Sequence, residues 1–387
     1  MFFIETDILM KNNVLVNFNN FKRTWNVESF LPVNFTIHYS SDIFNPQNLD
    51  LIEYGKSKRR IVVVDKTVHE IYGENIKSYF ESIKFDLKLK IIDATEENKD
   101  WKHTDEILQF FESEGVLRRE SIIVIGGGVL LDLVGFCCSI YRRGIPYIKV
   151  PTTLLAIVDA SVGVKVAANH FGRRNRIGAY YPPIATLIDK KFIHSQSERE
   201  IVNGIAEIFK LGLIKSEELF ELLENNYDQL LREKFQFGAI PVRVINMAIT
   251  GMIEELEPNL WEKDLERPVD FGHTFSPLIE MNNIQNLKHG EAVVLDCLLS
   301  SCISFNRGYI NEEELKRIFD TAKNLKLPTW HRDFANKELV FAALEDTMRH
   351  RNGNQYIPIP VGIGRCAIIN NLKEEELISA MDTFEGI

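Results

Sequence analysis

The chain has 387 residues, of which 45% are hydrophobic and 26% are charged, and its formal net charge is −10. This length predicts two domains with ample residues for a buried core. The negative charge argues against a nucleic-acid partner, because phosphate backbones select basic surfaces, and no apolar run reaches the roughly 18 residues of a membrane span.

The cysteines and the N-terminus indicate a cellular location. The five cysteines include no Cys-x-x-Cys pair, which is typical of a reducing compartment. Cys137 and Cys138 are adjacent within an apolar stretch and are predicted to be core residues. Glu5 and Asp7 stand where a signal peptide would carry basic residues. We therefore expect a cytoplasmic protein.

The first half of the chain predicts strands that alternate with helices. The predicted segments are β-like runs at 13–18 and 34–39, a buried strand at 60–65, a helix at 67–83, a strand at 87–92, a helix at 104–114 and an apolar strand at 121–125. This order is typical of an α/β domain with a mostly parallel sheet. Ligands of such a sheet bind outside the carboxyl ends of its strands.

Two features at strand ends suggest a nucleotide site. The triplet Gly126–Gly128 separates an apolar strand from an apolar helix, and a helix N-terminus attracts phosphate. The triplet lacks the G-x-G-x-x-G spacing, so a simple tight turn is an equal alternative. Asp65 ends a strand, where an acid either meets a ribose hydroxyl or caps the next helix.

The second half of the chain is dominated by helical periodicity. Long helical patterns cover 197–224, 238–256, 287–306 and 312–325. Strand-like runs are scarce until 355–369. The sequence therefore predicts an α/β domain over residues 1–192 and a mainly helical domain over residues 193–387.

Three residues of the helical half form a candidate metal site. Glu207, His273 and His289 are a carboxylate and two imidazoles, a set that zinc accepts with room left for substrate oxygens. They come from three separate segments, so their spacing is not diagnostic. Each histidine could also be a core or surface residue, and Glu207 with Lys210 could be an exposed pair one helical turn apart.

Taken together, several segments resemble the sugar phosphate cyclases, the dehydroquinate synthase superfamily. These segments occur in the family's order over about residues 60–300: Gly126–Phe136, Tyr141–Pro146, Val150–Leu155, Asp159–Lys165, Asn175–Gly178, Ala206–Lys210, Phe271–Thr274 and His289–Glu291. The resemblance implies a Rossmann-like NAD domain, a helical metal domain and an active site in the cleft between them.

The resemblance also implies roles for individual residues. Glu207, His273 and His289 would bind a divalent metal, Zn²⁺ or alternatively Co²⁺. The residues expected to hold NAD are Asp65, Glu96, Lys99, Gly127, Gly128, Val129, Asp132, Thr152, Thr153 and Arg174. The residues expected to line the substrate pocket are Asp159, Lys165, Asn175 and Lys210. Arg143 would reach a phosphate in its own subunit or in the partner subunit of a homodimer.

Departures from the dehydroquinate synthase pattern bear on the substrate. Met252, Glu266 and Pro277 stand where those enzymes keep a lysine, an arginine and a second histidine, and Asp270 stands at an asparagine position. An acid in place of a guanidinium would repel a substrate carboxylate. A polyol would instead donate hydrogen bonds to Glu266 or Asp270. We therefore expect a sugar phosphate without a carboxylate.

These features match the C7-cyclitol synthase branch, which acts on sedoheptulose 7-phosphate. The runs Tyr181–Pro183 and His350–Gly353, together with Asp270, resemble valiolone-forming members, and they place His350 in the site. The expected product is 2-epi-5-epi-valiolone, with 2-epi-valiolone and desmethyl-4-deoxygadusol as alternatives. A 3-dehydroquinate synthase and a metal-dependent NAD polyol dehydrogenase are further alternatives. A dehydrogenase would accumulate NADH, whereas a cyclase recycles it and releases phosphate.

Overall fold

The structure, a computed structural model, describes residues 9–11, 14–19, 24–29, 31–54 and 58–387. Contacts divide the chain into two units, Met1–Phe35 and Thr36–Ile387. In the first unit the described strands are β1 (Leu9–Lys11), β2 (Val14–Asn19) and β3 (Thr24–Ser29), which pair antiparallel in that order. The predicted run at 13–18 overlaps β2, and Asn13 lies outside the described residues.

The second unit contains two groups of strands in its α/β half. In chain order the strands are β4 (Thr36–Tyr39), β5 (Arg59–Asp65), β6 (Asp86–Ile92), β7 (Ile122–Gly126), β8 (Tyr147–Pro151), β9 (Lys165–His170), β10 (Arg173–Tyr180) and β11 (Ala185–Ile188). Six of them form a parallel sheet in the order β4-β11-β8-β7-β5-β6. β9 and β10 form a separate antiparallel hairpin, which the sequence analysis did not predict.

Both faces of the parallel sheet are covered by helices, as its continuous Val and Ile runs require. The helices are α1 (Asp50–Glu53), α2 (Lys66–Ser82), α3 (Trp101–Ser113), α4 (Gly128–Ile140) and α5 (Leu154–Val158). Alternate residues of β5 point into different cores: Val63 packs in one core with Phe111, and Val62 packs in another with Phe80. Cys137 and Cys138 are fully buried, as predicted. The predicted Rossmann-like fold class is confirmed.

The rest of the unit is mainly helical. Its elements are α6 (Lys191–His194), α7 (Glu198–Ile214), α8 (Glu217–Arg232), α9 (Ile240–Leu256), α10 (Ser276–Asn282), α11 (His289–Asn306), α12 (Glu312–Asn324), α13 (Lys337–His350), the hairpin β12 (Ile357–Pro360) with β13 (Cys366–Ile369), and α14 (Glu374–Gly386). The predicted helix at 197–224 is two helices, because Ser216 caps α8 by accepting a bond from the Leu219 N–H at 3.2 Å. α13 and α14 were not predicted.

The described helices include none that is long and apolar enough to cross a membrane. The sequence-based boundary at 192/193 falls within α6, whereas contacts place both halves in the single unit Thr36–Ile387. The boundary therefore remains a prediction about domain organisation.

Two glycines allow α7 to pack unusually close to its neighbours. A Cβ on Gly290, at the start of α11, would lie 2.1 Å from the Asn203 carbonyl oxygen of α7. The Gly290 N–H instead donates to the Asn203 side-chain oxygen at 2.6 Å. A Cβ on Gly204 would lie 2.6 Å from the Leu155 nitrogen of α5. Glycine is therefore required where α7 meets α11 and α5.

A buried lysine in the sheet supports the turn that leads into β9. Lys149 of β8 is fully buried, and its ammonium donates to the carbonyl oxygens of Ala160 at 2.7 Å and Gly163 at 2.9 Å. Burial lowers the pKa of Lys149 to about 8, although the carboxylates of Asp132 and Asp159 oppose this shift. The Lys149 side chain thus holds the turn that follows Asp159 through two hydrogen bonds to its carbonyl oxygens.

Replacing Lys149 by Met should change how stability depends on pH. In the unfolded chain the lysine titrates near 10.5 and in the folded chain near 8, so the unfolded state binds more protons between these values. The free energy of unfolding of the wild type should therefore rise relative to K149M, by up to about 1.4 kcal/mol per pH unit in that window. Chemical unfolding of both proteins from pH 7 to 10 measures this difference, and parallel profiles would contradict it.

Candidate active site

The carboxyl ends of the parallel strands open into a cleft of about 1360 Å³ whose other wall belongs to the helical half. Every residue that the resemblance assigns to NAD lines this cleft: Asp65, Glu96, Lys99, Gly127, Gly128, Val129, Asp132, Thr152, Thr153 and Arg174. The cleft is also lined by the predicted substrate residues Asp159, Lys165, Asn175 and Lys210 and by Asp270, His273 and His289. The structure thus brings together most of the predicted site.

The glycine turn presents an uncapped helix end to the cleft. β7 ends at Gly126 and α4 begins at Gly128, and Gly127 between them has an extended backbone. Among the described residues, no side chain caps this helix. Its first-turn N–H groups are therefore available to an anion such as a pyrophosphate.

Asp65 takes the role of a helix cap. Its carboxylate accepts from the N–H groups of Thr67 at 2.9 Å and Val68 at 3.3 Å, at the start of α2, and from Ala94 at 3.4 Å. Burial raises the pKa of Asp65 in spite of these bonds. Capping was one of the two alternatives for this residue, and a contact with a ribose remains a prediction.

A polar network lies on the nucleotide side of the cleft. The Lys99 ammonium donates to Asp132 and to Asn175, each at 2.6 Å. Asn175 has a left-handed backbone, φ 50°, and its N–H donates to the Asn169 side chain at 2.8 Å. Asn169 in turn donates to a Glu96 carboxylate oxygen at 2.9 Å. Asn175 is therefore held beside the predicted NAD residues.

Glu207, His273 and His289 converge at the metal position proposed from the sequence. Their ligand atoms all lie within 4.8 Å of one another. Glu207 Oε1 lies 3.4 Å from His289 Nε2 and 4.0 Å from His273 Nε2. Neither oxygen of this buried carboxylate accepts a well-formed hydrogen bond from any described residue. A buried carboxylate that faces two imidazoles and has the Lys210 ammonium as its other close partner, at 2.6 Å, fits a divalent cation such as Zn²⁺.

His273 and His289 both face Glu207 with Nε2, and their Nδ1 atoms lie near other oxygens. His273 Nδ1 lies 3.2 Å from the Phe271 carbonyl oxygen, and His289 Nδ1 lies 3.0 Å from a carboxylate oxygen of Glu280. Metal-binding histidines commonly bond through the second nitrogen in this way. Glu280 lies on α10 and was not predicted, because its sequence position carries no signal of this contact.

Buried charges set the protonation of the group. Burial by itself would raise the pKa of Glu207. The Lys210 ammonium, 2.6 Å away, and the two histidines have a larger effect and hold the pKa well below its usual range. Burial and Lys210 lower the pKa of His273 well below its ordinary value. Burial also opposes protonation of His289, but the carboxylates of Glu280 and Glu207 raise the pKa of His289 to about 9.

The helical wall requires a correction to the sequence analysis. Glu266 does not line the cleft: it is exposed, and its N–H donates to the Asp264 carboxylate at 2.9 Å within its own loop. The next residue, Arg267, lines the cleft and binds both Glu262 and Asp270. A guanidinium is thus present at this wall, with two acids around it. Met252 and Pro277 also line the cleft.

Two other predicted residues also lie away from the cleft. His350 is exposed at the end of α13, with Nε2 3.6 Å from a carboxylate oxygen of Asp346. It does not line the cleft, and its place in the site remains a prediction. Arg143 is exposed at the end of the 3₁₀ helix Tyr141–Arg143. Its contact with a phosphate across a homodimer remains a prediction.

Comparison with known proteins gives the family. Residues 89–203 match the model of the 3-dehydroquinate synthase N-terminal domain, and residues 204–349 match that of its C-terminal domain. A 2-epi-5-epi-valiolone synthase from Streptomyces albus is 42% identical over 374 residues, 94% of this chain and 91% of the relative. A second one, from Actinoplanes sp., is 41% identical over 367 residues, 92% of each chain.

A solved structure agrees with these matches. The 2-epi-5-epi-valiolone synthase of Streptomyces hygroscopicus subsp. jinggangensis 5008, with NAD⁺ and Zn²⁺ bound, superposes with a TM-score of 0.90 at 39% identity. The match covers 94% of this chain and 99% of that one. In sequence and in fold, the chain belongs to the 3-dehydroquinate synthase family.

Proposed function

We propose that the protein is a sugar phosphate cyclase that converts sedoheptulose 7-phosphate to 2-epi-5-epi-valiolone and releases phosphate. The reaction would proceed by transient oxidation, β-elimination of phosphate, reduction and intramolecular aldol closure, which makes the enzyme a carbon–oxygen lyase without net redox change. The observation that carries this proposal is the 42% identity to a synthase of that name over 94% of the chain.

The cleft offers places for both cofactors of such a reaction. Glu207, His273 and His289 would hold Zn²⁺, or Co²⁺ in its place, and the uncapped start of α4 would receive the NAD pyrophosphate. When bound, NAD would accept and return a hydride and the metal would polarise the oxygen of the reacting carbinol. The solved relative from S. hygroscopicus, which contains NAD⁺ and Zn²⁺, supports this assignment.

Residues of the chain would supply charge and orientation to the sugar. Lys210 is fully buried, and although burial lowers its pKa, Glu207 and Asp159 raise the pKa above the ordinary value, so the ammonium stays protonated. Lys165 reaches the cleft from the start of β9. These two cations suit the phosphate and the developing enolate. Asp159 lines the same cleft and would accept a hydrogen bond from a sugar hydroxyl.

The proposal also includes a homodimer and a cytoplasmic location. A homodimer in which Arg143 reaches the phosphate of the partner subunit's substrate would account for an exposed arginine outside this chain's cleft. A cytoplasmic location agrees with cysteines that are unpaired among the described residues.

Incubation with sedoheptulose 7-phosphate and NAD⁺ should release one phosphate per sugar while the absorbance of NADH stays at its starting level, because the hydride returns to the substrate. Phosphate assay, absorbance and NMR of the product measure this outcome. Stoichiometric NADH would indicate a polyol dehydrogenase, and release only from the carboxylated substrate of 3-dehydroquinate synthase would indicate that enzyme. NMR also separates 2-epi-5-epi-valiolone from 2-epi-valiolone and desmethyl-4-deoxygadusol.

Replacing His289 by Ala should remove one ligand of the proposed metal site. We expect bound zinc, measured by elemental analysis after dialysis, to fall by at least tenfold, and phosphate release to fall with it. Replacing the exposed His350 by Ala provides a matched control and should leave the zinc content unchanged. Full zinc content in H289A would contradict the assignment.

Zinc affinity should depend on pH through His289. Its pKa of about 9 in the metal-free protein means that zinc must displace a proton at neutral pH. The apparent affinity should therefore fall by about tenfold per pH unit below about pH 9. The variant E280Q removes the main charge that raises this pKa, so its affinity should vary less between pH 7 and 9. Competition with a chromogenic chelator measures both curves, and equal slopes would contradict this account.

A further inference from the structure

A cluster of charged side chains joins the β9–β10 hairpin to the helical wall of the cleft. The Lys165 ammonium lies 2.7 Å from Glu262 Oε1, and the Tyr180 hydroxyl donates to Glu262 Oε2 at 3.1 Å. Arg267 also binds Glu262, and its Nε donates to Asp270 Oδ2 at 3.2 Å. Glu262 is thus bound by a lysine, an arginine and a tyrosine at once.

The members of this cluster differ in exposure. The side chains of Glu262 and Arg267 are 13% and 15% exposed, whereas that of Lys165 is 59% exposed. All three line the cleft. A nearly buried guanidinium keeps its charge and is the side chain best suited to bind a ligand carboxylate in two places. Here its bonding positions are taken by Glu262 on one side and Asp270 on the other.

The loop holds Glu262 in this position. Glu262 has a left-handed backbone, φ 49°, and its N–H donates to the Asn259 carbonyl oxygen at 2.8 Å. The neighbouring Trp261 packs edge-on against Tyr180 with ring centroids 5.9 Å apart. A non-glycine residue in this conformation is strained, and such strain tends to occur at functional sites.

We propose that Glu262 is a specificity-determining residue, which together with Asp270 neutralises Arg267 so that the cleft accepts a sugar phosphate but not one that also carries a carboxylate. The inference rests on the proposed function, in which the substrate has no carboxylate. A ligand carboxylate at Arg267 would have to displace Glu262 or lie beside it as a second, poorly solvated negative charge. Glu262 thus takes the role that the sequence analysis gave to Glu266.

The variants E262Q and E266Q form a matched pair for the test, since both remove one carboxylate from the same loop and only Glu262 lines the cleft. The probes are phosphonate analogues of two C7 sugars, with and without a carboxylate at C1, which bind but cannot lose phosphate. Calorimetry on the NAD- and zinc-loaded enzyme gives the ratio of the two dissociation constants. This ratio does not depend on turnover.

In E262Q the carboxylate-bearing probe should gain at least about tenfold in affinity relative to the carboxylate-free probe, which corresponds to ~1.4 kcal/mol. In E266Q the ratio should equal that of the wild type. An unchanged ratio in E262Q, or an equal shift in both variants, would overturn the proposal.

Two further variants separate charge from positioning. D270N removes the other acid that binds Arg267 and should shift the ratio in the same direction, which keeps the test available if E262Q does not fold. Y180F removes a hydrogen bond to Glu262 but no charge, so its ratio should stay near the wild-type value. A shift in Y180F as large as that in E262Q would contradict a role of charge. Failure of the phosphate-release assay would refute the proposed reaction and leave the measured binding ratio intact.

Discussion

The buried carboxylate of Glu207 is the constraint around which the site is arranged. It has no well-formed hydrogen bond from any described residue, and it stays ionised because Lys210, His273 and His289 surround it. An uncompensated carboxylate at this depth would be strongly unfavourable. Its position depends on the close packing of α7 against α11, which Gly290 permits. The position of the proposed metal ligand Glu207 therefore depends on one close contact between α7 and α11.

The features predictable from the sequence are those encoded within short segments. The Val and Ile runs and the Gly126–Gly128 turn predict the parallel sheet and a helix start at its edge, and the structure contains the sheet and an uncapped helix at that turn. The motif segments also identify Glu207, His273 and His289, which the fold brings together. The β9–β10 hairpin is different, because its strands are mixed in polarity and carry little alternation for a sequence analysis to detect.

The features that were missed depend on contacts distant in sequence or on local backbone geometry. Glu280 matters because its carboxylate meets His289 from another helix, and nothing in their spacing indicates the contact. The resemblance predicts Glu266 in the pocket, at the position where dehydroquinate synthases keep an arginine. The loop turns through a left-handed residue at Glu262, and Arg267 rather than Glu266 lines the cleft. The acids of the wall are therefore Glu262 and Asp270.

The β9–β10 hairpin is bonded to both walls of the cleft. Arg174 binds Glu96 on the nucleotide side and Glu280 on the helical side, while Lys165 and Tyr180 bind Glu262. Parting the walls would break these bonds together. A change in the width of the cleft would therefore have to rearrange these bonds, so the hairpin links the separation of the two walls to the side chains expected to meet the ligands.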